Sequence, residues 1–267
     1  MIDPATVCLF IGPGLKKFKL NLFERIGSHI EKQGGSVIKD DFAAVEALPP
    51  EIIPIVGCSP EFSETVPRWR REGRRFVYWD RGFFRRVFAA SLPTGTDGGY
   101  YRWHINAYQS QAIRDVPDDR WRSLRIDLQP WRRNGKHIVI AAPSRTYSRH
   151  HRCENWIADT IDALARVTDR QLVIRDKEHV RNRDLRRDLE GAHALVTHGS
   201  IAAVESVVLG TPVFVHPDSA AALVGQTDLK KIESPVYPDR ERWVASLAYD
   251  QFNEAELVDG TLWKLLA

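Results

Sequence analysis

The feature that most constrains the fold is a single stretch, residues 194–215, with the sequence ALVTHGSIAAVESVVLGTPVFV. It consists of a β-branched apolar run, a short polar turn, a helix-forming run, a glycine followed by a proline, and a second β-branched run. This order predicts a strand, a helix and a second strand. Strands joined through a helix lie parallel, so the chain must contain a parallel sheet with helices packed on it.

The same alternation runs along both halves of the chain. In the first half it predicts a helix at 20–33 and strands at 6–11, 36–38, 52–56, 75–79 and 100–108. In the second half it predicts strands at 136–141 and 171–174, a polar loop at 143–152, and helices at 155–167 and 182–190. We therefore predict an α/β protein with two Rossmann-like domains that face a cleft.

The boundary between the domains is expected in a charged segment that contains prolines, residues 115–133. This predicts an N-terminal domain at 1–130, a C-terminal domain at 131–250 and a final helical segment at 251–267.

Composition is that of an ordinary globular protein, with 43% hydrophobic and 27% charged residues. The N-terminus lacks the basic region of a signal peptide, and no apolar run approaches the roughly 20 residues that span a bilayer. We expect a cytoplasmic protein without a membrane span. The three cysteines lie far apart, which predicts neither a disulfide framework nor a zinc site. The oligomeric state stays open.

The polar turn in residues 194–215 is suited to a phosphorylated ligand. His198, Gly199 and Ser200 stand where the strand meets the helix, and the first N–H groups of a helix attract anions. Glu205 lies early in that helix, where its carboxylate can accept hydrogen bonds from ribose hydroxyls.

Other predicted strand ends bring further polar groups to the same edge of the second sheet. Ser144 and Arg145 follow one strand, and Arg175 and Lys177 follow another. Together with the turn they match a diphosphate, because arginine and lysine can offset phosphate charge. Each residue also has a simpler explanation: the two cations can pair with Asp176 and Glu178, and His198 can be a satisfied buried histidine.

Two glycines, Gly12 and Gly14, follow the first predicted strand, where they permit close approach to a ligand or simply form a turn. The spacing lacks the third glycine of a dinucleotide fingerprint, and no GxxxxGK[ST] motif occurs. NAD and an ATP phosphate loop are therefore disfavoured.

Residues 68–86, RWRREGRRFVYWDRGFFRR, combine eight arginines with interleaved aromatic residues. Arginine pairs with phosphates and exposed aromatic rings stack on bases, so the segment suits a nucleic acid. The alternative is a solvated charged face above an aromatic core. The acceptor-binding residues predicted on the first reading are Gly12, Gly14, Trp79, Arg81, Arg85 and Arg86.

The stretch THGSIAAVESVVLGTPVFV resembles the nucleotide-sugar-binding segment of GT-B glycosyltransferases. The runs RDKEH and SLAYDQFNEAELVDGTLWKLL resemble a group of phage and prophage glycosyltransferase-like proteins, as do VYWDRGFFRR and YYRWHINAYQ. The resemblance implies a GT-B fold whose last helix packs back across the domains. It also implies a sugar donor in the C-terminal domain, bound by Glu205 at its ribose and by His198, Gly199 and Ser200 at its diphosphate or sugar.

An inverting transferase needs a base that takes the proton of the acceptor hydroxyl. Asp80, at the end of the strand RFVYW, is the first candidate and His104 the second. An ion pair with a neighbouring arginine is the alternative role for Asp80. The chain has no DxD motif, so no tightly bound metal is expected.

These features lead to the hypothesis of a hexosyltransferase that moves glucose from UDP-glucose to hydroxymethylated pyrimidines, such as 5-hydroxymethylcytosine, in phage DNA. DNA is then the expected partner, and a UDP-sugar is the co-substrate. Two alternatives stay open: a transferase for surface polysaccharide or lipopolysaccharide, and a non-catalytic protein that binds nucleotides or modified DNA.

Overall fold

Two compact units make up the described part of the chain in a computed structural model, which describes residues 2–15, 17–85, 99–176 and 184–266. The first unit contains the described residues up to 108 together with 249–266, and the second contains those between 109 and 248. Each unit is built around its own sheet.

The strands are, in chain order, β1 (Val7–Ile11), β2 (Ser36–Lys39), β3 (Ile53–Gly57), β4 (Val77–Arg81), β5 (Tyr100–Ile105), β6 (His137–Ala141), β7 (Gln171–Arg175), β8 (Ala192–Thr197), β9 (Val213–Val215) and β10 (Gln251–Asn253).

The helices are α1 (Lys17–Lys32), α2 (Phe42–Glu46), α3 (Thr65–Glu72), α4 (Asp119–Leu124), α5 (Arg145–His151), α6 (Trp156–Leu164), α7 (Leu185–Leu189), α8 (Ala202–Val208), α9 (Glu241–Tyr249), α10 (Glu254–Val258) and α11 (Thr261–Leu265). Within the described ranges, none of them combines the length and the apolar character that crossing a bilayer requires.

The sheet of the first unit has the strand order β10-β5-β4-β3-β1-β2. Strands β2, β1, β3 and β4 are parallel, whereas β5 runs antiparallel to β4 and β10 antiparallel to β5. β1 and β3 are buried along their whole length, as their continuous apolar sequences require. Helix α1 covers one face through an apolar stripe at helical spacing, formed by Leu22, Phe23, Ile26 and Ile30.

The aromatic residues of the segment 68–86 lie in this core. Trp69, Phe76, Tyr78 and Phe83 are at most 1% exposed, and Trp79 and Phe84 at most 8%. Arg74 donates to the backbone oxygen of Leu48 at 2.7 Å. The second of the two readings of this segment is therefore the one observed, with charged residues above an aromatic core.

The sheet of the second unit has the order β7-β6-β8-β9, and all its pairs are parallel. The strand, helix and strand predicted for residues 194–215 are present as β8, α8 and β9. Gly210 ends α8 with a φ of 79°, in the left-handed region that favours glycine. The predicted polar loop at 143–152 is instead largely helix α5, which Ser144 begins by accepting a hydrogen bond from the Tyr147 N–H at 3.3 Å.

Residues 109–130 belong to the second unit, whereas the sequence placed its boundary at 130. Hydrogen bonds explain the difference, because the Arg114 N–H donates to Ser246 and the Arg120 guanidinium to the backbone oxygen of Ala248.

The chain returns to the first unit at residue 249. Where a single helix was expected after residue 251, the chain forms β10 and then two short helices, α10 and α11. Gly260, with a φ of 87°, separates these helices.

Candidate functional site

Parallel strands β6, β8 and β9 end at one edge of the second sheet, and each is followed by polar residues. Ser144 and helix α5 follow β6, the turn from His198 to Ser200 follows β8, and His216 follows β9. Ligands of open α/β sheets bind beyond the carboxyl ends of the strands, which makes this edge the candidate binding site of the second unit.

The rings of His198, Tyr147 and His216 form the centre of this edge. Tyr147 Oη lies 3.1 Å from Nδ1 of His198. The imidazoles of His198 and His216 stack at 4.3 Å with an interplanar angle of 11°. His151 stacks on Tyr147 at 3.9 Å. We call these four residues, Tyr147, His151, His198 and His216, the histidine cluster.

Burial sets the charge state of His198, which is only 8% exposed. Loss of solvation, followed by the nearby His216, lowers its pKa to about 4, although Asp218 opposes the shift. His198 is therefore neutral at pH 7, and it offers a ligand one ring N–H and no positive charge.

The backbone of the turn is held by Gln109, a residue 2% exposed. Its amide donates to the backbone oxygen of Gly199 at 2.8 Å and accepts from the Ala220 N–H at 2.9 Å. A Cβ at Gly199 would overlap the hydroxyl of Tyr147. A larger residue at 199 would therefore displace the Tyr147 hydroxyl from the turn.

The structure brings most predicted donor residues to this edge. Arg145 is exposed in the first turn of α5, and Glu205 is half-buried in the first turn of α8. Ser144 caps α5, since its hydroxyl accepts the Tyr147 N–H at 3.3 Å, and the Ser200 hydroxyl accepts the Ala202 N–H at 3.3 Å within the turn.

Arg175 ends β7, but its guanidinium pairs with Asp188, whose side chain is 2% exposed. A buried carboxylate needs a partner, so this ion pair gives Arg175 a structural role in the second unit. Lys177, the other predicted phosphate-binding cation, lies outside the described residues.

In the first unit, Asp80 stands near the end of β4 and pairs with Arg102 of β5. The guanidinium donates to Asp80 Oδ2 at 2.8 Å and to the backbone oxygen of Arg81 at 2.6 Å. Arg102 is only 3% exposed, whereas the Asp80 side chain is 31% exposed. The alternative of an ion pair with an arginine is therefore present, and part of the carboxylate still reaches the surface.

The balance of burial and charge keeps Asp80 ionised. Burial alone would raise the pKa of this carboxyl, but Arg102 and then the Arg81 N–H outweigh burial and hold it below its ordinary value. The negative charge acts on its surroundings: burial and then Asp80 raise the pKa of the Cys58 thiol to about 12. Cys58 is thus an unreactive thiol beside the carboxylate.

His104, the second candidate base, lies in β5 opposite Tyr78. It is 5% exposed, and its ring packs 5.8 Å from that of Phe83. This position suits a core histidine better than a base that meets an acceptor.

Three of the predicted acceptor residues, Trp79, Gly12 and Gly14, have structural roles. Trp79 is 8% exposed and packs on Phe23 with 4.1 Å between the ring centroids, so it offers no face to a base. Gly14 has a φ of 74°, which explains it as a turn residue, and a Cβ at Gly12 would meet the Phe10 ring at 2.9 Å.

Among the predicted acceptor arginines, Arg81 and Arg85 are exposed, whereas Arg86 lies outside the described residues. Stacking of bases on the aromatic residues of segment 68–86, which was one basis for the DNA hypothesis, is therefore not supported, because those rings fill the core.

Sequence reasoning missed Tyr147, His151 and His216. His216 could have been found by the rule that identified His198, because it also follows a parallel strand directly. Tyr147 and His151 were assigned to a loop, and only recognition of Ser144 as a helix cap would have placed them on α5.

Solved structures show what fold these units form. The chain is similar to the β-Kdo 2,7 transferase KpsC of Thermosulfurimonas dismutans, with 12% identity, a TM-score of 0.50, and coverage of 96% of this chain and 99% of the other. The β-Kdo 2,4 transferase KpsC of the same organism aligns with 10% identity, a TM-score of 0.49 and 90% coverage of each chain. No protein-family model matches the sequence. The curated proteins give no significant match either.

The fold is therefore a glycosyltransferase-like α/β fold with two Rossmann-like units. The finer assignment to the GT-B class stays a prediction.

Proposed function

We propose that the protein is a glycosyltransferase that uses a nucleotide sugar as donor and a carbohydrate of a surface polysaccharide as acceptor. The observation that carries the proposal is the histidine cluster at the carboxyl edge of the second sheet, within a fold of the glycosyltransferase type. This edge is where such a fold binds its ligand.

The donor would bind in the second unit through the neutral His198, the turn after β8 and the cation Arg145. His198 would supply a ring N–H, and the turn at Gly199 and Ser200 would supply backbone groups. Arg145 is exposed nearby on α5. Glu205 would accept hydrogen bonds from the ribose. Since Arg175 is committed to Asp188, phosphate charge would be balanced by Arg145 and by hydrogen bonds to the turn.

Asp80 is the proposed catalytic carboxylate of the first unit. Because Arg102 keeps it ionised, Asp80 can accept the proton of an acceptor hydroxyl, or stabilise the positive charge that develops on the sugar in the transition state. The first role applies to transfer with inversion, and transfer with retention does not strictly require a base.

A carbohydrate acceptor is preferred to hydroxymethylated DNA for a physical reason. The aromatic rings of residues 68–86 are core residues, so the segment presents arginines without stacking platforms. Part of this charge is also used internally, since Arg68 pairs with Glu46 at 3.3 Å. KpsC, which has a similar fold, is a Kdo transferase, and this also favours a glycan.

The direct test is a transfer assay with purified full-length protein. UDP-glucose and a nucleotide-activated Kdo would each be offered with surface oligosaccharides, with DNA that contains 5-hydroxymethylcytosine and with unmodified DNA, and products would be identified by mass spectrometry. We expect transfer to an oligosaccharide. Transfer only to modified DNA would replace the proposed acceptor. Nucleotide binding without transfer or donor hydrolysis would indicate the non-catalytic binding protein.

Matched variants separate a site effect from a general loss of stability. His198→Ala is compared with His137→Ala, because His137 begins β6 at the opposite edge of the same sheet. Asp80→Asn is compared with Asp118→Asn, a change at an exposed pair with Arg122. Loss of transfer in the first member of each pair alone, at a temperature where circular dichroism shows that variant to be folded, supports the assigned sites.

A further inference from the structure

Tyr147 lies against the turn that follows β8, and three observations fix its position. Ser144 caps the helix at the Tyr147 N–H, His151 stacks on its ring at 3.9 Å, and its hydroxyl lies 3.1 Å from Nδ1 of His198. The space taken by this hydroxyl is the space that a Cβ at residue 199 would need. With the tyrosine hydroxyl in this position, residue 199 has no room for a side chain.

A neutral imidazole carries its proton on one of two nitrogens, and the other nitrogen accepts. A phosphate oxygen offers only lone pairs, so an imidazole nitrogen that binds phosphate must carry the proton. The hydroxyl of Tyr147 can donate to the nitrogen that lacks it. The hydroxyl lies 3.1 Å from Nδ1, so donation along this contact makes Nδ1 the acceptor and places the proton on Nε2.

We propose that Tyr147 is a positioning residue for His198: its hydroxyl donates to Nδ1 and so fixes the proton on Nε2, which then donates to the phosphate of the donor. This inference rests on the proposed donor site. It also gives the glycine of the turn a reason, because Gly199 makes room for the hydroxyl. The ionisable groups that surround this hydrogen bond are His151, His216 and Asp218.

The proton position can be measured without any activity. In the full-length protein, ¹⁵N NMR of the imidazoles at neutral pH is expected to show His198 unprotonated at Nδ1 and protonated at Nε2. Tyr147→Phe should move the Nδ1 resonance toward that of a free acceptor nitrogen. Gly199→Ala should give the same change, because the new methyl group displaces a hydroxyl at the end of a rotatable side chain. Tyr237→Phe, which alters a tyrosine that packs on Trp131, is the control.

Binding of UDP and of inorganic diphosphate, measured by calorimetry, tests the consequence. Tyr147→Phe is expected to weaken both by about threefold to tenfold, the usual effect of losing one hydrogen bond. In a His198→Gln background the same change should alter affinity by less than about twofold, because the glutamine amide carries its N–H without help from a neighbour.

The outcomes distinguish this inference from the function it rests on. Binding of diphosphate by a protein with the His198 proton on Nδ1 would overturn the role of Tyr147 and leave the donor site standing. Equal losses of affinity with His198 intact and in the His198→Gln background would also overturn it, since packing alone would then explain them. If the unaltered protein binds neither UDP nor diphosphate, the donor site fails, and the proposed role in binding fails with it.

Discussion

Replacing Asp80 by Asn should destabilise the first unit, because it removes the charge that balances a buried guanidinium. Arg102 is 3% exposed and 2.8 Å from Asp80 Oδ2. Removing one partner of a fully buried ion pair costs about 3–5 kcal/mol, because the other charge is left uncompensated. Asp80 is 31% exposed, so water compensates part of this loss, and we expect about 2–3 kcal/mol.

The complementary variant Arg102→Met leaves a partly hydrated carboxylate and should cost less, about 1–2 kcal/mol. The double variant then gives a coupling energy of about 2 kcal/mol between the two side chains. Arg102→Lys, which keeps the charge but not the two-branched hydrogen bonding to Asp80 and Arg81, should lie between the unaltered protein and Arg102→Met.

The same pair predicts a change in acid stability. The folded pKa of Asp80 is lowered, so its ionised form contributes stability above the unfolded pKa of about 3.9, and this is lost as pH falls through the lower folded value. Without Arg102, burial becomes dominant and raises the folded pKa. The contribution of Asp80 in Arg102→Met should then increase as pH falls, which is the opposite sign.

Hydrogen exchange at the amides of β4 and β5 is the appropriate measurement, because unfolding of two units need not be a single transition. Amides of β6 and β8 in the second unit serve as the internal reference. A coupling energy below about 0.5 kcal/mol, or equal losses in both units, would refute the view that this pair is a buried, interdependent one.

Three further predictions concern the second unit. Asp188→Asn should lower the hydrogen-exchange protection of β6 and β7 amides by about 3 kcal/mol, since it removes the buried partner of Arg175. Loss of nucleotide binding with unchanged protection would instead indicate that Arg175 acts in phosphate binding. Because the folded pKa of His198 is lowered to about 4, the stability of the second unit should fall by roughly 3 kcal/mol as pH drops from about 6.5 to 4. His198→Gln should remove this loss, as measured by hydrogen exchange of β8 amides at decreasing pH. Glu205→Ala should weaken UDP binding about tenfold with unchanged circular dichroism, whereas a loss of folding would make Glu205 a structural residue.

Much of the fold could be predicted because strand burial leaves a local signature. The apolar runs at β1, β3, β6 and β8 match the pattern of buried strands, and the helices between them follow from the spacing of apolar residues and from caps. The antiparallel strand β10 could not be predicted, since its pairing partner β5 is distant in sequence. The units divide the chain at 109 where the sequence predicts 130, for a similar reason: hydrogen bonds to residues near 246–248 hold the segment 109–130.

The site was only partly predictable. His198 could be identified because it follows a strand and precedes a helix, which is a local pattern. The partners that define its chemistry, Tyr147 and His216, come from other strand ends and are brought to it by the parallel sheet. The prediction for Trp79 failed in a different way: the basic and aromatic sequence around it suggested an exposed ring, but the ring packs in the core. Charge can be read along a chain, but the side on which an aromatic residue lies depends on tertiary packing.

The return of the chain at residue 249 has a consequence for biosynthesis. Strand β10 completes the edge of the first sheet, where Phe252 is fully buried and Gln251 accepts the Phe84 N–H at 2.8 Å. A ribosome synthesises both sheets almost entirely before this strand emerges. Synthesis of the first unit therefore begins before that of the second and ends after it. Until then β5 is an open edge, the kind of surface that invites aggregation. Truncation of the chain by a stop codon near residue 249 should therefore destabilise the first unit more than the second, although the second unit lies next to the truncation in sequence.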